Sequence, residues 1–283
     1  MKFFKASQRK VKDQVLGRIA RDGGGVRLVR VLSKMTSWDY DPFLLLDVFD
    51  STDPDEYTKG FPMHPHRGLE TVTYLIEGRI EHEDSLGNKD VIVSGGCQWM
   101  TAGRGVIHQE MPMATARMLG MQLWVNLPKK DKLVEPKYRA IAPEHIPLVK
   151  EEGAEVRVIS GKYKGTAGAV QPDYVKVTFL DLTLDAGATW SMDTPNDDTV
   201  FVYMLEGGCF DGGLNAVPVR QGTLFSEGGS LTLKGGPEKS RVGVFMGKPL
   251  KEPIAWGGPF VMNTEEELDE VLVELEAGTF IKK

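Results

Sequence analysis

Cysteine is scarce in this sequence of 283 residues, which contains only Cys97 and Cys209. A disulfide framework requires cysteines that are more numerous and more closely spaced along the chain. We therefore expect both thiols to be free and the protein to occupy a reducing compartment.

Long hydrophobic runs are also missing. No stretch approaches the roughly 18 apolar residues of a membrane span, and the N-terminal segment lacks the apolar core of a secretory signal. The formal net charge of −6 gives no general attraction for nucleic acid or for an anionic membrane. We expect an intracellular protein, cytoplasmic or also nuclear if its source is eukaryotic, with no membrane association and no direct nucleic-acid binding.

Charge is unevenly distributed between the two ends of the chain. Residues 1–34 carry ten Lys or Arg and two acidic residues, whereas residues 265–276 are strongly acidic. We interpret both stretches as solvated surface rather than as binding tails. The basic stretch is nevertheless the candidate contact for a protein partner of the N-terminal domain.

Glycine and proline are plentiful, with 32 and 16 residues, and this suits many short strands joined by turns. Segments rich in β-branched and aromatic residues recur between them. They predict strands at 27–32, 71–76, 90–93, 121–127, 156–159, 175–184, 199–205, 230–233 and 241–246. So many short strands favour β-sandwiches or β-barrels over βαβ units.

One helix is predicted near the C-terminus. Asn263 or Thr264 can cap it, Glu267 provides a capping-box partner for Thr264, and Gly278 ends it. Its apolar residues recur at helical spacing, and we expect them to dock the helix on the protein: Leu268, Val271, Leu272 and Leu275.

Two parts of the sequence resemble each other. The segment "LETVTYLIEGRI" (69–80) is similar to "DDTVFVYMLEGGCF" (197–210), and "VIVSGG" (91–96) is similar to "AVPVRQG" (216–222). A repeat of about 130 residues has the length of one domain, which predicts two copies of one β fold. The Lys- and Pro-rich stretch 127–147 is interpreted as the linker, and the predicted domains are 1–135 and 136–283.

The five histidines all lie in the first domain or the linker: His64, His66, His82, His108 and His145. Residues i and i+2 of a strand point to the same face, so His64 and His66 are directed together, as are His108 and Glu110. Neighbouring strands would bring three imidazoles and a carboxylate onto one inward face. Such ligands without thiolate suit a divalent transition metal such as iron, manganese, nickel, copper or zinc.

Each of these residues also has a structural interpretation, because a single histidine is usually a hydrogen-bonded surface or core residue. Glu70 could supply the carboxylate instead of Glu110. Its counterpart in the repeat, Asp198, lies in the domain without histidines, which favours a structural role for Glu70. His82 is interpreted as a solvated residue before a turn and His145 as part of the linker. Cys97 is not expected to be a ligand.

Five long segments carry a resemblance to a known family: "DPFLLLDVF" (41–49), "FPMHPHRGLETVTYL" (61–75), "QWMTAGRGVIHQEMP" (98–112), "QLWVNLPKKDKLVEPKY" (122–138) and "GPFVMNT" (258–264). In these segments, which extend over nearly the whole chain, the sequence resembles the pirins, two-domain members of the cupin superfamily. The resemblance implies an all-β fold with two cupin-type β-barrels in tandem, a bicupin, and a short C-terminal α-helix.

The resemblance also implies one iron ion, Fe(2+), in the N-terminal barrel and none in the C-terminal barrel, although other divalent transition metals remain compatible with the ligands. The His, His, His and Glu ligands of the family fall on His64, His66, His108 and Glu110. Many other cupins take the carboxylate from the position of Glu70, whereas pirins take it from the second motif.

The family further suggests what the pocket binds. Some pirins are described as quercetin 2,3-dioxygenases, oxidoreductases that open the central ring of a flavonol with O2 and release carbon monoxide. Glu110 would accept the proton of the flavonol 3-hydroxyl, provided that it loosens from the metal. Phe61 and Met63 are expected to form apolar pocket walls, and Asp47 and Gln122 polar groups. Met63 occupies a position where other pirins can carry an acid, which would change pocket polarity.

Two alternatives to the enzyme remain. Other pirins are described as transcriptional co-regulators or as partners of metabolic enzymes. In such a role, a change in the oxidation state of the iron would change the local charge and bias the conformation of a surface loop. The third interpretation is a metal-stabilised β scaffold with neither role, because a fold does not guarantee an activity.

Overall fold

The computed structural model describes residues 7–282 and divides them into two compact units. The N-terminal unit comprises residues 18–145 and 250–282, and the C-terminal unit comprises residues 7–17 and 146–249. Strands dominate both units, and the single α-helix of the described residues lies near the end of the chain, so the predicted all-β class is confirmed. No helix within residues 7–282 is long and apolar enough to span a membrane.

Twelve strands precede residue 142. Their bounds are β1 Val11–Leu16, β2 Arg18–Asp22, β3 Val26–Leu32, β4 Phe43–Ser51, β5 Phe61–His66, β6 Leu69–Glu77, β7 Arg79–Asp84, β8 Lys89–Val93, β9 Cys97–Thr101, β10 Val106–Pro112, β11 Met118–Asn126 and β12 Lys137–Ile141. Single 3-10 turns lie at Lys34–Thr36, Pro54–Glu56, Lys129–Asp131 and Pro143–His145.

Fourteen further strands and the helix follow. They are β13 Leu148–Glu151, β14 Ala154–Ser160, β15 Lys162–Tyr163, β16 Thr166–Ala167, β17 Thr178–Leu184, β18 Thr189–Asp193, β19 Thr199–Glu206, β20 Cys209–Asp211, β21 Ala216–Val217, β22 Gln221–Phe225, β23 Ser230–Gly235, β24 Ser240–Gly247, β25 Ala255–Gly257, β26 Phe260–Met262 and α1 Glu265–Glu276.

The N-terminal unit contains a seven-stranded sheet in the order β12-β9-β6-β11-β4-β3-β2 and a four-stranded sheet in the order β5-β10-β7-β8. An apolar cluster drawn from both sheets includes Phe49, Leu75, Ile80, Ile92 and Met118. Burying these side chains supplies the main stabilisation of this part of the unit.

The C-terminal unit repeats this layout. Its seven-stranded sheet has the order β1-β22-β19-β24-β17-β14-β13, and its four-stranded sheet has the order β18-β23-β20-β21. One large apolar cluster lies between them and includes Trp190, Val202, Phe225, Leu233 and Val244. The matching strand orders agree with the internal repeat found in the sequence.

The units depart from the predicted boundary between residues 135 and 136 in three places. The stretch interpreted as a linker contributes β12, which pairs with β9 of the N-terminal unit. Strand β1 pairs with β22 of the C-terminal unit. Residues 250–282 belong to the N-terminal unit, so the chain ends in the unit opposite to the predicted one. Sequence order does not reveal such exchanges, because each depends on pairing between distant segments.

The predicted helix is present, with Thr264 as its N-cap and Glu267 as its capping-box partner. Leu268 and Val271 are buried against Phe260 and Phe280. Leu272 is 52% exposed, so its prediction as a docking residue was wrong. The helix therefore buries only a narrow stripe, which consists of Leu268 and Val271 with the partly buried Leu275.

Three contacts tie the C-terminal segment to the residues that follow β5. Arg67 donates a hydrogen bond of 2.5 Å to Glu274 and its guanidinium lies 4.6 Å from the ring centroid of Phe280. The buried Lys132 ammonium donates to the carbonyl oxygens of Gly68 and Val261, both at 2.7 Å. The segment is therefore fixed directly beside His66.

Gly68→Ala should destabilise the protein more than an ordinary glycine substitution does. Gly68 has a φ of +78°, and an added Cβ would lie 2.0 Å from the carbonyl oxygen of Val261. Gly165 has a φ of +91° with nothing within 4 Å, so Gly165→Ala is the matched control for backbone strain alone. We expect about 1 kcal/mol of lost stability for the control and about 1–3 kcal/mol more for Gly68→Ala, measured by urea unfolding. Equal losses would contradict the packing described for residue 261.

Candidate metal centre

Two neighbouring antiparallel strands bring the three histidines together. Strand β10 pairs with β5 so that His108 lies opposite His64, while His66 lies opposite Val106. The ring centroid of His108 is 4.4 Å from that of His64 and 5.0 Å from that of His66. One nitrogen of each of the three residues lies within 4.8 Å of the others, which is a group able to hold a metal ion.

Backbone carbonyls orient two of the three imidazoles. Nδ1 of His64 lies 2.8 Å from the oxygen of Pro62, and Nδ1 of His66 lies 3.2 Å from the oxygen of Pro259. A carbonyl only accepts, so each Nδ1 carries the proton and each Nε2 presents a lone pair. The two Nε2 atoms lie 3.0 Å apart. Two lone pairs at this separation repel each other unless a cation lies between them, and this arrangement fits a metal.

His108 supports the same conclusion by its lack of partners. It is 1% exposed, and within residues 7–282 neither of its ring nitrogens has a hydrogen-bond partner. Burial, with the nearby His66 and His64, lowers the pKa of His108 well below its usual value. Burial, with His64, likewise lowers the pKa of His66 to about 3. Both rings are therefore neutral at pH 7 and able to donate to a metal, which would satisfy the buried nitrogens.

Glu110 lies beside this group but is engaged by other residues. Its carboxylate accepts hydrogen bonds from Thr73 at 3.0 Å and from Gln122 at 2.6 Å, and a third from Gln98. It is not one of the residues whose ligand atoms cluster within 4.8 Å. Its assignment as the fourth ligand therefore remains a prediction.

The donors to Glu110 form one row across the large sheet. Strand register places Gln98 opposite Thr73, Thr73 opposite Gln122 and Gln122 opposite Asp47. Facing residues of neighbouring strands are close enough to interact directly. We call Gln98, Thr73, Gln122 and Asp47 the polar row.

A cavity of about 540 Å³ opens next to His64 and His66. Its walls include the apolar side chains Leu45, Phe61, Trp124 and Trp256 and the polar side chains Arg30, Asp47 and Gln122. Asp47, Phe61 and Gln122 are among the residues that line this cavity, and their role in binding a substrate remains a prediction. Met63 is not among the lining residues and is 50% exposed, so it is not placed in this wall.

One arginine connects two carboxylates at the cavity. Arg30 donates to both carboxylate oxygens of Asp47, at 2.9 and 2.7 Å, and to Asp22 at 2.6 Å. Burial raises the pKa of Asp47 to about 6 although Arg30 acts in the opposite direction. Burial also acts to raise the pKa of Asp22, but hydrogen bonds from Arg30 and Gly23 outweigh it and the net pKa is lowered. Both carboxylates are ionised at neutral pH.

The remaining candidates lie elsewhere or behave differently. Glu70 accepts a hydrogen bond of 2.6 Å from Thr101 and lies outside the histidine group. His145 is exposed. Cys97 and Cys209 are buried free thiols, as predicted, and burial raises the pKa of each.

His82 was predicted to be solvated, and this was wrong. Its side chain is fully buried, and its ring centroid lies 5.4 Å from that of His108. The charged residues around it concealed the strand alternation, in which Ile80, His82 and Asp84 share the inward face. Applying the two-residue period to "RIEHED" would have identified it.

The same positions of the C-terminal unit are mostly apolar. Asp211 corresponds to Asp84, because each accepts a hydrogen bond from the side chain of the asparagine four residues further along the chain. Leu233 lies opposite Asp211 and His108 lies opposite Asp84, so Leu233 corresponds to His108. Trp190 and Met192 then occupy the places of His64 and His66. The row Gln98, Thr73, Gln122, Asp47 corresponds to Thr223, Val202, Val244 and Leu180.

Removing the carboxylate of Glu110 should destabilise even the metal-free protein. In Glu110→Ala the buried donors of Gln98 and Gln122 lose their acceptor, which costs about 1–3 kcal/mol. His145→Ala is the control, because its exposed ring can be removed at about 0.5 kcal/mol or less. Urea unfolding in the presence of a chelator measures both. Similar losses in the two variants would contradict the hydrogen bonding described for Glu110.

Comparisons with known proteins agree with this architecture. The family model described as Pirin matches residues 25–125, and the model described as Pirin C-terminal cupin domain matches residues 179–281. The structural similarity below and the second model confirm two cupin-type domains.

Individual relatives cover almost the whole chain. A Pseudomonas aeruginosa protein named "Putative quercetin 2,3-dioxygenase" is 45% identical over 270 residues, which are 93% of this chain and 94% of that protein. Pirin of Homo sapiens is 39% identical over 273 residues, which are 95% of this chain and 92% of that protein. A crystal structure of quercetin 2,3-dioxygenase from Acinetobacter baumannii has a TM-score of 0.89 at 33% identity and covers 97% of this chain and 99% of its own.

Proposed function

Since the chain belongs to the pirin family, we propose that it is an iron-dependent quercetin 2,3-dioxygenase. The reaction consumes one O2, opens the central ring of a flavonol and releases carbon monoxide. The observation that carries this proposal is the group of His64, His66 and His108 beside a cavity of about 540 Å³. The relative named as a dioxygenase at 45% identity supports it.

The three histidines would hold Fe(2+), with Glu110 as the fourth ligand. Bound iron would supply a Lewis acid that lowers the pKa of a coordinated hydroxyl and a site at which O2 can react. The neutral imidazoles suit several other divalent metals equally well, because nitrogen and oxygen donors alone do not select iron.

The cavity walls suit a flat, largely aromatic substrate. Trp124 and Trp256 lie with ring centroids 6.0 Å apart, and Trp124 meets His66 edge-to-face at 5.1 Å. A cavity of this volume is within the range of about 300–1,000 Å³ typical for small ligands. Aromatic walls would orient the flavonol rings, while Arg30 and Gln122 offer hydrogen-bond donors to its oxygens.

Glu110 is the proposed acceptor for the proton of the substrate hydroxyl. Three donors, all members of the polar row, keep the carboxylate in one orientation: Thr73, Gln98 and Gln122. These three hydrogen bonds and a bound metal would occupy all of the roughly four lone-pair sites of the carboxylate, so Glu110 must release the metal or one donor to receive a proton. Gln122 lines the cavity, so it is the donor that an entering substrate can displace. The row would then position both the base and the substrate oxygen.

Binding of a protein partner is the second candidate function. Met35 and Trp38 are 91% and 67% exposed and lie next to the cavity-lining residues Ser33 and Lys34. Large apolar side chains exposed together are typical of interaction surfaces. The first six residues of the basic stretch 1–34, the other proposed contact, lie outside the described residues.

Anaerobic loading with Fe(2+), followed by quercetin and air, tests the enzyme. We expect loss of flavonol absorbance together with one O2 consumed and one carbon monoxide released per quercetin. His108→Ala should abolish turnover, because it removes the buried ligand, whereas His145→Ala should retain it. Gas analysis and absorbance recorded together provide the measurement.

Iron-loaded wild-type protein that leaves quercetin and O2 unchanged would exclude this activity. The partner-binding function would then be examined by comparing complex formation of the Fe(2+) and Fe(3+) forms, with Trp38→Ala as the surface variant.

A further inference from the structure

His82 is a buried imidazole that the proposed reaction does not use. It stacks on Tyr138 with ring centroids 4.0 Å apart and an interplanar angle of 11°, and its other neighbour is the ring of His108 at 5.4 Å. Its nitrogens are not among the atoms that cluster with His64 and His66. It therefore lies directly behind one proposed ligand without being one itself.

Asp84 orients this ring. Its carboxylate accepts a hydrogen bond of 3.0 Å from Nε2 of His82 and is itself held by the backbone of Leu86 and by the backbone and side chain of Asn88. The aspartate is thus fixed by the hairpin turn. A fixed carboxylate and a stacked tyrosine leave the imidazole little freedom to rotate.

The C-terminal unit contains the same turn without the histidine. There Asp211 accepts from the backbone of Gly213 and from the backbone and side chain of Asn215. Register places Cys209 at the position of His82, since Cys209 lies opposite Gly235 as His82 lies opposite Glu110. The turn of the C-terminal unit forms without an imidazole, so His82 is not needed to form the corresponding turn of the N-terminal unit.

His108 differs from the other two proposed ligands in what orients it. Carbonyl oxygens fix the rings of His64 and His66, whereas within residues 7–282 His108 has no hydrogen-bond partner at either nitrogen. Ligating histidines usually depend on such an outer partner for their orientation. Because His108 has no such hydrogen-bond partner, packing against neighbouring side chains has to orient its ring. His82 is the aromatic neighbour of His108 that a carboxylate holds in place.

We propose that His82 is a positioning residue that sets the ring plane of His108, with Asp84 and Tyr138 fixing His82 from behind. This inference rests on the proposed metal site, but it does not depend on dioxygenase activity. It predicts that changes at residue 82 alter metal binding without any change in the ligand set.

The test uses Co(2+) bound to the full-length protein, which reports on ligand geometry through its absorption spectrum. His82→Ala should weaken Co(2+) affinity by roughly 10–100-fold and shift its ligand-field bands. His82→Phe keeps an aromatic ring on Tyr138 but loses the bond to Asp84, so it should fall between the wild type and His82→Ala. His145→Ala, an exposed histidine, should match the wild type in both measurements.

Thermal unfolding of the metal-free variants separates positioning from simple destabilisation. If His82→Ala or His82→Phe lowers the melting temperature while affinity and spectrum remain those of the wild type, His82 is only structural and the proposal is wrong. Should His82→Ala not fold, the same comparison is decided by His82→Phe. Wild-type protein that binds no Co(2+) would overturn the metal site itself, whereas normal binding without quercetin turnover would overturn only the enzymatic proposal.

Discussion

The antiparallel pairing of β5 with β10 is the constraint on which the rest of the site depends. It places His108 opposite His64, and the two-residue period of each strand adds His66 and Glu110 to the same inward region. A shift of one residue in this register would turn the side chains of one of the two strands, either His64 and His66 or His108 and Glu110, to the other face. The contacts from Arg67 and Lys132 to the C-terminal segment fix the chain just after β5, and Pro259 of that segment orients His66.

Burying polar side chains on one side of an interior costs free energy unless each polar group has a hydrogen-bond or ion-pair partner. In the N-terminal unit the polar row meets Glu110 from the opposite sheet, and Asp47 is neutralised by Arg30. The C-terminal unit fills the corresponding space mainly with aliphatic and aromatic side chains. The same strand order therefore accommodates either a candidate metal site or a fully packed apolar core. The inward-facing side chains determine which of the two forms.

Much of this could be predicted from the sequence, because strand alternation and the helix capping box are local signals. The spacing of His64 with His66 and of His108 with Glu110 was sufficient to select them. Asp47 and Gln122 were selected as polar pocket groups from the family motifs, but their alignment with Gln98 and Thr73 was not predictable, since it requires the register of four strands that are distant in sequence. His82 was missed because its charged neighbours suggested solvent, although the same alternation places it inside. The exchange of terminal segments between the units leaves no local signal.

X-ray absorption of the iron-loaded protein, combined with metal analysis, would show whether the three histidines bind the metal. We expect one iron per chain, surrounded by nitrogen and oxygen ligands that include three imidazoles. Sulfur ligation, or iron bound without imidazole scattering, would contradict it.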